Sequence, residues 1–504
     1  MTGMLIRHPK QLQSEEPLLS ERKLLLNMKL HIFLVFLSGT FLLPGCSGIL
    51  EEKPKSFFEE GNSFQSADDA NAAIAAVYGR LRDIYDLNMI YLSDVNGEEL
   101  EINPVVAAAR DIDLNRYTSA TPTFDEFYTR SYLLIDRANR VITNVARIDM
   151  NTALKSQIIG EALFLRALIY FNLVRAFGDV PLVTEIVNST TNVAKARDAS
   201  DLVYQQIIQD LTEAENVLPV RYSQAGQIGR ATSGAAKSIL AKVYLTRKNW
   251  EAAASKAKEV IDSGQYSLFS EYKDVFPPEN KNGIEHIFSV QYSCVLNTYG
   301  SPMAQQFAMF FTYPIQQVGG YLYITPNYID SYIEGDKRSK VNVVNEKENP
   351  ATGAIIKPGL DQGPVTDKYW DPKPCGLSQA RNNFIVVRYA DILLMYAEAL
   401  NELGGPTPEA YKAVNLIRAR ARNGDSGPQD LQGLTQQQFR DAILRERSWE
   451  LCFEGHRRWD LLRTGRYMDI LQQFKIPVEE KNLLYPIPQN EIDVNPLLKQ
   501  NTGY

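Results

Sequence analysis

From residue 67 onward, apolar side chains recur at helical spacing along most of the chain. Ser66-Ala67-Asp68-Asp69 supplies a capped start, and Ala73, Val77, Leu81 and Ile84 follow on one face. The pattern predicts further helices over about 125–147, 154–177 and 201–218. The second of these carries Phe164, Ala167, Tyr170, Phe171, Val174 and Phe177, with Gly178 to stop it and Pro181 to prevent continuation. In 231–264, Ala241, Tyr244, Trp250, Ala253 and Val260 fall close to the spacing of a tetratricopeptide repeat. There, small residues let two antiparallel helices approach and large ones fill between them. The stretch 388–421 is similar: Tyr389, Leu393, Tyr396, Leu400 and Leu403 make a face, Gly404-Gly405-Pro406 breaks it, and Ala410, Val414 and Ile417 begin a partner helix.

Between 265 and 383 this periodicity stops. Glycine, proline, asparagine and tyrosine rise, and only Ile284–Tyr292 reads as a short strand. A long irregular insertion in a helical scaffold commonly carries function, and its aromatic content argues against a disordered linker. The expected fold is mainly α: a TPR-like scaffold at about 67–264 and 384–470, with a loop-rich insertion at 265–383 forming a ligand-binding face.

The N-terminus is different. Met28-Lys29 precedes the apolar run Leu30 to Leu37, and the segment ends Leu43-Pro44-Gly45-Cys46. A positive start, a short apolar core and a small residue before the cut mark a signal peptide, too short for a membrane span of about 20 residues. The ending resembles a lipobox, so residues 1–45 are read as a leader whose signal peptide runs from about Met28, with the stretch before it a mispredicted extension, Cys46 as the lipidated residue, and 46–66 as a polar tether. No later stretch is expected to span a bilayer.

Composition narrows the chemistry. A net charge of −7 argues against nucleic acid. With Cys46 committed to lipid, Cys294, Cys375 and Cys452 remain, enough for one pair and too few for a disulfide framework. Only His286 and His456 survive removal of the leader, with no HExxH, CxxC or His-x-His near them. No cofactor is expected; calcium is conceivable at the acidic loop Asp94–Glu101, which lacks EF-hand spacing. Near the C-terminus, Glu446-Arg447-Ser448-Trp449-Glu450 runs on through Glu454, Gly455, Arg457, Arg458, Asp460 and Arg463. Glu454 and Arg458 have the spacing of a helical ion pair, Gly455 suits a turn between helices, and arginine's planar fork suits ion pairs inside a scaffold.

Three passages together resemble one family. They are Glu161 to Ala167 running on to Phe177-Gly178-Asp179-Val180-Pro181; Val387-Arg388-Tyr389-Ala390-Asp391 to Ala399; and Glu446 to Leu461 with Arg463 and Gly465. With the Cys46 motif and the closing Tyr485-Pro486-Ile487-Pro488, Asn495-Pro496 and Asn501, they are similar to the SusD/RagB outer-membrane lipoproteins. Ser448-Trp449 stand where more basic residues are common. The resemblance implies about four helix pairs, a place on the outer face of the outer membrane, and a SusC-like TonB-dependent transporter as partner. Glycan capture without chemistry is the function it implies.

Sugars need flat aromatics flanked by hydrogen-bonding side chains. Trp250, Trp449 and Trp459 sit in scaffold motifs, which leaves Trp370 as the available platform, with Asn297, Tyr299, Tyr313, Tyr321 and Tyr323 in the same insertion. The resemblance adds the loop after the first helix, here Tyr91, Asp94, Asn96, Glu98 and Glu99. A peptide or other oligomeric nutrient would suit the same aromatics. A surface glycosidase would need two carboxylates about 5–10 Å apart across a cleft, and no loop shows that arrangement. A pure TPR adaptor leaves the tyrosine-rich insertion unexplained.

Overall fold

The computed structural model describes residues 64–103, 106–187, 194–295, 299–307, 320–348, 352–358, 363–376, 379–424 and 426–504. The leader, Cys46 and nearly all of the expected tether lie outside them. The first helix, α1 (Ala67–Ile84), opens on the Ser66 hydroxyl, which accepts from the Asp69 N–H while the Asp69 carboxylate accepts from the Ser66 N–H. After strand β1 (Leu100–Ile102) come α2 (Pro122–Val145), α3 (Thr152–Phe177), α4 (Ser200–Val217), α5 (Ser233–Thr246) and α6 (Trp250–Asp262). Each of these helices packs on the next, an order compatible with stacked helix pairs.

By length and apolarity α3 is able to cross a membrane, contrary to the expectation that no stretch after the leader is. Yet 89% of its most apolar window is buried inside the protein. It is the core helix, flanked by α2 and α4. Gly178 ends it with φ +73°, and a Cβ there would lie 2.9 Å from Leu484 Cδ1. Only glycine meets both demands.

The insertion leaves the scaffold after α6 and returns to a helix packed directly against α6. Strand β2 (His286–Val290) pairs antiparallel with β4 (Phe384–Arg388), with His286 opposite Arg388. Strand β3 (Leu322–Ile324) pairs with β1. Residues 384–388, expected in the second helical stretch, are therefore strand. They lead straight into α7 (Tyr389–Gly404), which packs on α6, α8 (Pro408–Arg422) and α9 (Gln436–Leu451).

The C-terminal motif does not form one helix. α9 stops at Leu451, Phe453 and Gly455 take φ +62° and +84°, and α10 (Arg457–Arg463) begins anew. Gly455 thus makes the expected turn, but the break prevents the Glu454–Arg458 pair. Glu454 instead receives Arg388 (2.8 Å) and Lys368 (2.6 Å). Arg458 donates to the Asn482 carbonyl and to Asn96. The first backbone N–H groups of the new turn point at Asp94, whose carboxylate accepts from Gly455 (2.7 Å), His456 and Arg457 (3.3 Å each).

Around this break lies a buried charge network. Arg388 bridges Glu285 (2.7 Å), Glu450 (2.6 Å) and Glu454; Arg338 bridges Asp336 (2.7 Å), Glu446 (2.6 Å) and Glu450; Arg420 reaches Glu285 and Glu450, and Arg418 reaches Glu446 (2.6 Å). Arg338, Arg388 and all five carboxylates are fully buried or nearly so. Burial pushes the Glu454 carboxyl up, but Arg388 and Lys368 outweigh it and hold the group down at about 2. Removing one partner strands its counter-charges, at a cost of roughly 3–5 kcal/mol. Arg388→Met should lower urea-unfolding stability by about that much, and adding Glu454→Gln to it should recover part of the loss. A single substitution within about 1 kcal/mol of wild type would contradict this account.

Stability should also depend on pH in a particular window. Burial pushes Asp94 and Asp113 up to about 7 from 3.8, and Glu99 up to about 8 from 4.5. An acid whose folded value is raised costs stability progressively as pH climbs from its ordinary value to its folded one. His456, buried neutral and depressed to about 3, acts the other way only below its ordinary 6.5. The depressed Glu454 acts only below about 4.5. Between pH 6.5 and 8 the raised carboxylates dominate, so the melting temperature should fall across that interval. Asp94→Asn should flatten the slope; a melting temperature that rises there in the wild type would refute the assignment.

Candidate functional site

The last turn of α1 and the segment that follows set the site's first wall. Arg82 lies in the last turn of α1, and Asp86 caps the next short helix by accepting from the Asn88 N–H (2.9 Å). A π-turn over Tyr91–Val95 then turns Tyr91 outward to half-exposure while Leu92, Ser93, Asp94 and Val95 go inside. The Tyr91 hydroxyl sits 3.5 Å from Gln306 Oε1. Burial raises its pKa to about 12, helped by the charges of Asp86 and Tyr321. Tyr91, Gln306 and half-buried Tyr321 therefore converge from three separate segments.

Tyr299 joins them at the same end of α1. Its ring is 40% exposed, and the Arg82 guanidinium lies 4.3 Å from the ring centroid. The loop that carries it is braced. The Ser293 N–H donates to the Tyr299 carbonyl (2.9 Å), Ser301 and Ala380 exchange two backbone hydrogen bonds, and the Gly300 N–H donates to Gln379 Oε1 (2.8 Å). A disulfide joins Cys294 to Cys375, with Cα atoms 5.6 Å apart. An aromatic platform gains from such bracing because less loop entropy is lost when a ligand binds.

The other expected contacts fare differently. Tyr323 is buried at 7% exposure, opposite Glu101 in the β1–β3 ladder. Trp370 is half-buried with Lys347 Nζ 3.7 Å over its ring and Lys347 paired to Asp367 (2.5 Å). Among the described residues no ring contact joins Trp370 to the tyrosines. Asn297 and Tyr313 lie outside the described residues.

Asp94 and Asn96 are fully buried and have to be withdrawn as ligand contacts. Asp94 is spent on the start of α10, and Asn96 on the Ile112 carbonyl, Asn115 and Arg458. Glu98 and Glu99 are buried against Arg457. The acidic loop is thus an internal set of hydrogen-bond acceptors for the C-terminal motif. Among the described residues no group of three His, Cys, Asp or Glu is arranged to hold a metal.

Sequence reasoning missed Arg82, Gln306 and the pairing of Cys294 with Cys375. Arg82 in a last helical turn reads only as a cation complementing the helix dipole. Gln306 carries no signal. The odd cysteine count concealed the pair, although Cys452, inside the packed motif and buried, is the one left free.

The comparisons agree with the geometry. Residues 321–504 match the model of the SusD family, and residues 50–245 match a model described as starch-binding associating with outer membrane. A SusD-like protein of Formosa agariphila is 28% identical, covering 95% of this chain and 100% of its own. The crystal structure of a SusD homologue from Bacteroides thetaiotaomicron superposes with a TM-score of 0.78 at 25% identity, covering 88% of this chain and 98% of its own. A laminarin-binding SusD-like protein does so with a TM-score of 0.74 at 25% identity, covering 88% and 100%. Helical scaffold, interrupted C-terminal motif and near-complete coverage converge, and the chain belongs to the SusD/RagB family.

Proposed function

We propose that this chain binds an oligosaccharide, without catalysis, on the face formed by Tyr299, Tyr91 and Tyr321. From there it delivers the sugar to a SusC-like, TonB-dependent transporter. The observation that carries the reading is the exposed Tyr299 on its braced loop with the Arg82 guanidinium beside its ring; the Tyr91 hydroxyl and Gln306 supply polar groups from the segments at the same end of α1. An apolar plate edged by polar groups is what a sugar's C–H face and hydroxyl rim require. The structural relative that binds laminarin supports the carbohydrate class. Against catalysis stands the use made of the carboxylates: Glu446, Glu450 and Glu454 are all closed off by arginine or lysine. A lipid on Cys46 and the tether after it would hold the body at the outer surface of the outer membrane. The match to an outer-membrane-associated family model is in keeping with that.

Isothermal titration against a panel of neutral glycans and peptides tests the proposal. Tyr299→Ala should weaken the best glycan at least about tenfold, equivalent to ~1.4 kcal/mol, with the melting temperature unchanged. Tight binding of peptides and of no glycan would transfer the same face to peptide cargo. Product formation abolished by one carboxylate substitution would overturn the non-catalytic reading.

The anchor has its own test. Cys46→Ala protein should bind the glycan with unaltered affinity in solution yet fail to support uptake by cells lacking the wild-type copy. Full uptake by that variant would remove the lipid from the mechanism.

A further inference from the structure

A second cleft, of about 600 Å³, opens between the end of α3, the start of α4, the end of α5, α10 and the C-terminal segment 500–502. That volume lies within the roughly 300–1,000 Å³ usual for small-molecule sites. It is lined by other residues than the tyrosine face. Tyr204 and Trp459 supply aromatic walls, Ser200, Thr246 and Gln500 supply polar ones, and Arg175 is the cation whose position needs explaining.

The other cations of this cleft are already satisfied. Arg463 is paired with Glu398 and Asp460. Arg197 donates to the carbonyls of Phe177, Asp179 and Lys499 and to Asn501 Oδ1. The cleft's carboxylate, Asp179, accepts from the Ser200 N–H (2.8 Å). Arg175 has no carboxylate partner among the described residues. Its Nε donates to the Phe171 carbonyl (3.2 Å) and its Nη2 to Asn172 Oδ1 (2.6 Å), and Nη1 has no acceptor there. Phe171 and Trp459 stack against it, at 4.0 and 4.9 Å from its Cζ. The indole N–H of Trp459 is a second donor without an acceptor among the described residues.

A guanidinium held between two rings is fixed in orientation, and no carboxylate among the described residues is in contact with it. Desolvation lowers its pKa to about 10, outweighing the upward pull of Asp460 and Asp391, which do not touch it. Buried charge is costly until it is paired. A planar fork with a free edge matches a two-oxygen acceptor better than any neutral group does. Arg458, another arginine of this region without a carboxylate, is enclosed, with both Nη atoms donating to neutral acceptors; Arg175 borders an open cleft. We infer that this cleft is a second ligand site, taking a small molecule that carries a carboxylate or sulfate group, with Arg175 as its receiving cation.

Titration of the purified chain with glucuronate, glucose and inorganic sulfate tests the inference. Glucuronate should bind saturably and at least tenfold more tightly than glucose. Arg175→Gln should lose at least tenfold of that affinity, and Arg175→Lys, which keeps the charge but not the fork, should lose less than Arg175→Gln without matching the wild type. Tyr299→Ala should leave glucuronate binding unchanged, which separates this site from the proposed glycan face whether or not that face proves correct. Sulfate that competes with glucuronate would show that the oxyanion suffices; glucuronate binding without sulfate binding would show that the sugar ring is needed too, and both results support the site. Equal affinity for glucose and glucuronate, or unchanged affinity in Arg175→Gln, would overturn it. Should the variants fail to fold, a crystal of the wild-type chain soaked in glucuronate decides: density for a carboxylate against Arg175 supports the site, and an empty cleft refutes it.

Discussion

The structure depends on a buried cluster in which arginines and a lysine meet carboxylates drawn from distant parts of the chain. Arg338, Arg388, Arg418, Arg420 and Lys368 face Asp336, Glu285, Glu446, Glu450 and Glu454, five cations against five anions. Glu285 precedes β2, Asp336, Arg338 and Lys368 belong to the insertion, Arg388 ends β4, and the others come from α8, α9 and the turn after it. Such a cluster is a weak source of net stability, because desolvation consumes most of the Coulombic gain. Its contribution is specificity. A register shift of β4 against β2 would leave Arg388 facing no counter-charge, so the network selects one way of closing the insertion onto the scaffold.

That role explains which parts of the fold were legible. Helices α1 to α6 follow from local periodicity and capping, and the ends observed fall close to those the pattern implies: 125–147 against Pro122–Val145, 154–177 against Thr152–Phe177. The break at Phe453 and Gly455 was half legible. Gly455 announces a turn, but the positive φ of Phe453 is imposed by tertiary packing, with its ring among Phe307 and Tyr328. With the helix broken there, an i,i+4 reading of Glu454 and Arg458 had no physical basis. β4 was missed for a related reason: a short apolar run before a helix does not reveal whether a partner strand waits almost a hundred residues earlier.

The candidate site divides in the same way between local and tertiary signals. Tyr299 and Tyr321 are proposed from residue type and Tyr91 from the family resemblance; the fold brings Tyr91 near Tyr321 and sets Tyr299 at the same end of α1. The acidic loop misled. Asp94, Asn96, Glu98 and Glu99 look like an exposed, hydrophilic contact surface, but sequence proximity to Tyr91 says nothing of which way each side chain turns. A π-turn sends Tyr91 out and Asp94 in. Asp94 and Arg457 lie hundreds of residues apart, and their partnership has no local signature.

Both faces follow from how the buried charges are arranged. Where a carboxylate of the 94–101 loop meets the C-terminal motif, the loop is pinned and its neighbouring aromatic is left to face outward; Asp94 does this for Tyr91 through the backbone N–H groups of Gly455, His456 and Arg457. The disulfide and the Gln379 contact do the same for Tyr299, covalently and by hydrogen bond in place of charge. A loop held in this way loses little freedom when a ligand arrives, so weak stacking and a few hydrogen bonds suffice for binding. The complementary case is a cation the fold fixes but does not pair. Arg175 is flanked by two rings where Arg388 meets three carboxylates, and under the second-site proposal the charge that completes it comes from a ligand.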